Sequence, residues 1–109
     1  MSKLVDDHHP IDLKIASELI AATPEHWVSA ALRLTRIFFD GEERVQLYIF
    51  NEEGQLDLIT PTDDLYELSF QLADVFKKHG ANWREITYRV TQGRDEEWDW
   101  KADYKYFGQ

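Results

Sequence analysis

The chain contains no cysteine. That excludes disulfides, thiolate metal ligation and a cysteine nucleophile, and it agrees with a reducing compartment. No stretch approaches the roughly 20 apolar residues of a membrane span. The opening residues, MSKLVDDHHP, lack the apolar core of a secretory signal, so the expected location is the cytoplasm. Basic residues are scarce: 12 against 21 acids give a formal net charge of −9. Nucleic acids and anionic membranes both call for basic surface, so neither is an expected partner. A basic protein partner is compatible with the charge, and so is none. There is no glycine-rich phosphate loop, no G-x-S-x-G, no H-E-x-x-H and no carboxylate calcium loop. Ser17, Ser29 and Ser69 lack any neighbouring nucleophile signature. No catalytic residue, metal ligand or cofactor is therefore expected.

What is present is an ordinary core in a length suited to one domain, residues 1–109, with 43% hydrophobic residues, four Trp, five Tyr and six Phe. The stretch Trp83–Tyr106 dominates the pattern. Ile86, Tyr88 and Val90 alternate with Glu85, Thr87 and Arg89. After a charged turn at Gly93–Glu97, Trp98, Trp100, Ala102 and Tyr104 alternate with Asp99, Lys101, Asp103 and Lys105. Period-2 alternation of this kind predicts a hairpin with one buried and one wet face.

Upstream, Ile11, Ile15 and Leu19, with Ala16 and Ile20, form a stripe at helical spacing over residues 11–22. His8 and His9 beside Asp6 and Asp7 are metal-ligand types, but with Pro10 they read better as a polar lead-in to that helix. Thr23-Pro24-Glu25 ends the helix. A strand follows with Val28, Ala30, Leu32 and Leu34 on one face, and a change of phase near Arg36, to Ile37 and Phe39, suggests a bulge or an end buried on both faces. Asp40-Gly41 turns the chain into a second strand, Arg44–Phe50, and Gln55–Ile59 reads as a short third. Thr60 or Thr62 caps a second helix with the stripe Leu65, Leu68, Leu72, Val75 and Phe76, closed by Gly80. His79 sits near the stripe as a partly buried structural residue. Trp27 and Trp83, at strand entries, suit either core or stacking roles. The expected fold is α+β, in the order α-β-β-β-α-β-β, with two helices on one face of an antiparallel sheet of about five strands.

That order carries a geometric expectation. A meander of three strands followed by a helix of roughly 25 Å, at 1.5 Å per residue, brings the Gly93–Glu97 turn beside the Asp40–Glu43 turn. Asp40, Glu42, Glu43, Asp63, Asp64, Asp95, Glu96 and Glu97 then share one pole with Asp6 and Asp7. These eight residues are the candidate partner-binding surface. Local chemistry alone also puts acids in turns and at helix starts.

Three stretches together resemble the YezG-like family of bacterial immunity proteins. They are a helix leading into Thr23-Pro24-Glu25-His26-Trp27 and a strand, the acidic-aliphatic helix Asp63–Lys78, and the pair Asn82-Trp83-Arg84-Glu85-Ile86-Thr87-Tyr88 and Trp98-Asp99-Trp100-Lys101-Ala102-Asp103-Tyr104-Lys105-Tyr106-Phe107. The likeness covers most of the chain and lies in pattern and order. The charged Gly93–Glu97 turn and the short segment before the second helix depart from it. The resemblance implies a cytoplasmic antitoxin that binds, one to one, the C-terminal domain of a polymorphic toxin such as those of contact-dependent inhibition, often a basic nuclease. It implies no interface residues. Two alternatives stand beside it: a non-catalytic acidic adaptor or structural domain, and a small-ligand binder using the aromatic sheet.

Overall fold

The computed structural model describes residues 3–51 and 59–108. They form α1 (Lys3–Ala22), β1 (Ser29–Phe39), β2 (Glu42–Phe50), α2 (Asp63–Lys78), β3 (Trp83–Gln92) and β4 (Trp98–Tyr106). The class is α+β, as expected, with a four-stranded antiparallel sheet ordered β2-β1-β3-β4. The third strand expected at Gln55–Ile59 falls, apart from Ile59, outside the described residues; Ile59 makes an isolated antiparallel bridge to Ile49.

The side-chain pattern of each strand fixes which face the helices cover. Ala30, Leu32 and Leu34 of β1, Leu47 and Ile49 of β2, and Ile86, Tyr88 and Val90 of β3 are buried on one face. They meet Ile15, Ala16 and Leu19 of α1 and Leu65, Leu72 and Phe76 of α2. On β4 the inward residues Trp98, Trp100, Ala102, Tyr104 and Tyr106 are only half-buried, because β4 is an outer strand of the sheet. The helix-free face carries Arg33, Thr35, Glu85, Thr87, Arg89, Asp99, Lys101, Asp103 and Lys105.

Several details differ from the sequence reading. The first helix begins two turns earlier than residue 11, and Pro10 lies inside it. Proline removes one backbone donor from the helix, but the preceding turns still form because His8 and Asp12 find buried partners. There is no bulge at Arg36: β1 and β2 stay in register from Ala31↔Phe50 to Phe39↔Glu42. The change of phase instead leaves Phe38 and Phe39 exposed at the strand end. Val28, placed inward by alternation, precedes β1 and is half-exposed. Thr62, not Thr60, caps α2, its hydroxyl accepting the Leu65 N–H at 3.2 Å. Gly80 follows the helix at φ 67°, a backbone state that glycine adopts without a Cβ penalty. Trp27 and Trp83 are both core residues.

The path of the chain departs from a meander. β2 and β3 both run antiparallel to β1 and flank it, so they are parallel to each other. The chain leaves β2 at one end of the sheet, and α2 carries it back to the other. Over 16 residues that helix spans roughly 24 Å. β3 therefore starts beside the Asp40-Gly41 turn, with Glu85 opposite Thr35, and ends beside the start of β1, with Thr91 opposite Ser29.

Candidate functional site

This path divides the expected acidic pole. Asp40, Glu42 and Glu43 lie at the Gly41 end of the sheet. Asp95, Glu96 and Glu97 lie at the opposite, Gly93 end, since Gln92 and Trp98 flank that turn and Thr91 pairs with Ser29 at the start of β1. Asp63 and Asp64 open α2 just after the Ile59–Ile49 bridge near the end of β2, which is also the Gly93 end. Asp6 and Asp7 stand at the Gly41 end, where Asp7 Oδ2 lies 2.8 Å from His79 Nε2. The single pole is thus corrected to two groups. The expectation had α2 start at the Gly41 end, whereas it starts beside the end of β2, which reverses the direction of everything after it.

The two groups differ in chemistry. At the Gly41 end Asp7, Glu42 and Glu43 are engaged. Glu43 Oε1 accepts from Arg36 Nε at 2.9 Å, and Arg36 also donates to Asn82 Oδ1 at 2.9 Å and the Trp83 carbonyl at 3.2 Å. Arg36 thereby ties the β1–β2 hairpin to the start of β3. Glu42 lies 3.7 Å from Arg44 in solvent, a pairing of little energetic weight. Around these acids, Phe38 and Phe39 stand exposed, with Phe107 6.2 Å from Phe38 between ring centroids.

At the Gly93 end, Asp63, Asp64, Asp95, Glu96 and Glu97 enter none of the described ion pairs. Glu25, in the loop before β1, and Asp99, at the start of β4, lie at this end too. Arg94 is the one base in the turn. Asp95 Oδ1 accepts the Glu97 N–H at 3.1 Å, the Gly93 N–H donates to the Glu97 carbonyl at 2.8 Å, and Glu96 sits at φ 66°. The turn is therefore held by its own hydrogen bonds, and its carboxylates project from a fixed base. Four strands at about 4.8 Å spacing make this end about 14 Å wide between outer strand axes.

A buried network lies elsewhere and was not foreseen. Asp12, 1% exposed, accepts the Tyr88 hydroxyl at 2.5 Å and the Tyr104 hydroxyl at 2.5 Å, and its Oδ2 lies 2.6 Å from His8 Nδ1. His8 stacks on Phe76 at 5.3 Å between ring centroids. One carboxylate thus joins α1 to β3 and β4, and its histidine joins α1 to α2. Burial first, then the charge and hydrogen bond of Asp12, push the Tyr88 and Tyr104 hydroxyls well above the ordinary tyrosine range, so both remain donors. The sequence signal was present: His8, Asp12, Ile15 and Leu19 follow one helical row, and an acid inside an apolar row needs buried donors. The buried face centres on that row, with Ile11 and Ile20 at its margins. His79, read as partly buried, has a side chain 26% exposed that meets Asp7 at the surface.

Among the described residues, no group of three or more His, Asp or Glu could hold a metal ion. Both Asp12 oxygens are occupied and shielded from solvent, so the network serves as an anchor between layers. Above it a cleft of about 670 Å³ opens between α1 and β4, lined by Leu4, Val5, His9, Trp100, Tyr104 and Tyr106 among others. A second, of about 470 Å³, separates α1 from α2 beside Leu13, Glu18, Asp64 and Leu68. Among the described residues, no helix is long and apolar enough to cross a membrane.

No protein-family model matches the chain, and no curated protein matches it.

Proposed function

We propose that this chain is an immunity protein of the YezG-like kind, an antitoxin that binds the toxic domain of a polymorphic toxin and neutralises it. The observation that carries the reading is the Gly93 end. Asp63, Asp64, Asp95, Glu96 and Glu97 gather there without cation partners among the described residues, while three of the five named acids at the Gly41 end (Asp7, Glu42 and Glu43) already face a base or histidine. Carboxylates that face no cation among the described residues, held on a hydrogen-bonded turn and a helix start, suit a cationic surface outside them. A nuclease has such a surface around its substrate cleft, because it must attract phosphate. Docking there would cover the cleft or its margin, and opposite charge would speed the encounter by about 10- to 1,000-fold. The net charge of −9 supports the same pairing. In this reading the partner is the basic toxin domain in a one-to-one contact, the protein acts in the cytoplasm, and it uses neither catalysis nor a cofactor.

The test is co-expression with the toxic domain encoded next to this chain. Growth is expected to recover, and the two chains are expected to elute as one complex. Failure of both would overturn the reading.

A further inference from the structure

The outer edge of β4 has no strand beside it among the described residues, since β4 ends the sheet order β2-β1-β3-β4. A free edge presents unpaired backbone donors and acceptors to any strand of suitable side-chain pattern. The pattern on β4 is specific. On the helix-free face stand, in order, Asp99, Lys101, Asp103 and Lys105, and on the other face Trp98, Trp100, Ala102, Tyr104 and Tyr106. We propose that a second copy of this chain adds to the sheet through β4, antiparallel, about a two-fold axis at Ala102.

In that register Asp99 faces the second copy's Lys105, and Lys101 faces its Asp103; symmetry repeats both pairs. Every anion opposes a cation. On the helix side Trp98 faces Tyr106, Trp100 faces Tyr104, and the small Ala102 faces itself on the axis. Opposite charges and aromatic pairs directly across an antiparallel ladder are favourable, and like charges are unfavourable. Slipping the register by two residues one way sets Asp99 against Asp103 and Lys101 against itself. Slipping it the other way sets Lys101 against Lys105 and Asp103 against itself. A one-residue slip opposes wet and buried faces. The strand is thus complementary to itself in one register and mismatched in its neighbours. Charges that merely guard an edge need no such arrangement.

The intramolecular partners leave room for this. Asp103 meets Arg89 at 2.7 Å and Lys105 meets Glu85 at 3.4 Å, yet both side chains are more than half exposed, so each can bridge to a second copy. The cleft between α1 and β4 gives a second indication. Its lining includes the apolar and aromatic Leu4, Val5, Trp100, Tyr104 and Tyr106 beside His8, His9, Asp12, Lys101 and Asp103, it opens beside β4, and Val5 is 54% exposed. A neighbouring β4 would extend its floor and cover that surface. This inference is independent of the toxin reading and holds or fails without it.

Two experiments test it. The chain has no native cysteine, so Ala102→Cys introduces the one thiol. Directly opposed residues of an antiparallel pair sit about 4.5–5.5 Å apart between Cα atoms, within disulfide reach. Ala102→Cys is expected to cross-link to a dimer on mild oxidation, whereas Asp99→Cys, which faces Lys105, is not. Light scattering then follows mass. The wild type is expected at twice the 12.9 kDa chain mass. Lys101→Glu with Lys105→Glu makes the edge all acidic, and Asp99→Lys with Asp103→Lys makes it all basic. Each is expected to weaken self-association at least tenfold, and mixing the two is expected to restore a dimer. Far-UV circular dichroism confirms that both variants are folded. A wild type that stays monomeric to about 100 µM overturns the proposal. So does a dimer indifferent to both charge variants, or equal cross-linking at residues 99 and 102.

Discussion

Removing the Tyr88 hydroxyl is the sharpest probe of how the layers are joined. Tyr88 is fully buried and donates to Asp12 at 2.5 Å, and that carboxylate is itself 1% exposed. Tyr88→Phe keeps the ring and leaves Asp12 with Tyr104 and His8 as partners. A hydrogen bond to a charged group contributes about 1.5–3 kcal/mol net, so the expected loss is about 2 kcal/mol. For a domain near this length each kcal/mol lowers Tm by about 4 °C or slightly more, giving a drop of about 8 °C. Tyr104 lies at the sheet edge, so Tyr104→Phe is expected to cost about half as much. Asp12→Ala strands two hydroxyls and the His8 ring and should cost about 3–5 kcal/mol. Urea titration followed by tryptophan fluorescence measures each. The decisive comparison is the cycle: in the Asp12→Ala background, Tyr88→Phe should cost well under 1 kcal/mol, because its acceptor is already gone. If Tyr88→Phe alone stays within about 0.5 kcal/mol of wild type, or if the two changes simply add, the network does not anchor α1 to the sheet.

Three further outcomes follow from the same geometry. The Tyr88 pKa is raised above the unfolded value of about 10, so the unfolded chain gives up that proton first and binds fewer protons above pH 10. The stability this contributes is complete below pH 10 and falls as pH rises beyond it, by about 1.4 kcal/mol per pH unit from this residue; urea midpoints from pH 9 to 11.5 should decline more steeply for wild type than for Tyr88→Phe. Thr62→Ala removes the hydroxyl that accepts the Leu65 N–H and should cost about 1 kcal/mol, whereas Thr60→Ala should be nearly neutral by thermal melting. Arg36→Met keeps a side chain of similar length but loses the guanidinium over Trp83 and its bonds to Glu43, Asn82 and the Trp83 carbonyl, and should cost about 1–2 kcal/mol with faster amide exchange at the start of β3.

The regular elements were legible because their periodicities are unmixed. Trp98–Tyr106 alternates without a break, and the second helix runs from a capping threonine to a terminal glycine. The first helix was half hidden, because Pro10 and the run Asp6–His9 resemble a polar lead-in. In the structure His8 and Asp12 are instead the polar part of the buried row. Their meaning depends on Tyr88 and Tyr104, which lie 76 and 92 residues from Asp12. No local pattern links residues so far apart. The acidic pole failed for a topological reason. Asp40 and Asp95–Glu97 were correctly assigned to turns and Asp63 and Asp64 to a helix start, while Glu42 and Glu43, read as turn, open β2; the starting end assumed for the second helix inverted the direction of that helix and the final hairpin. Side-chain alternation fixes a strand's faces and leaves its direction open.

The central claim is that the Gly93 end meets a basic toxin domain. Stopped-flow association of the purified chain with its isolated cognate toxin domain tests this most directly, with wild type compared against the variant Asp63→Asn, Asp64→Asn, Glu96→Gln and Glu97→Gln. The account predicts at least a tenfold slower association rate for the variant at low salt, converging with wild type as salt rises, and little effect from Glu42→Gln with Glu43→Gln. An unchanged association rate, or a loss confined to the Glu42 and Glu43 variant, would contradict it.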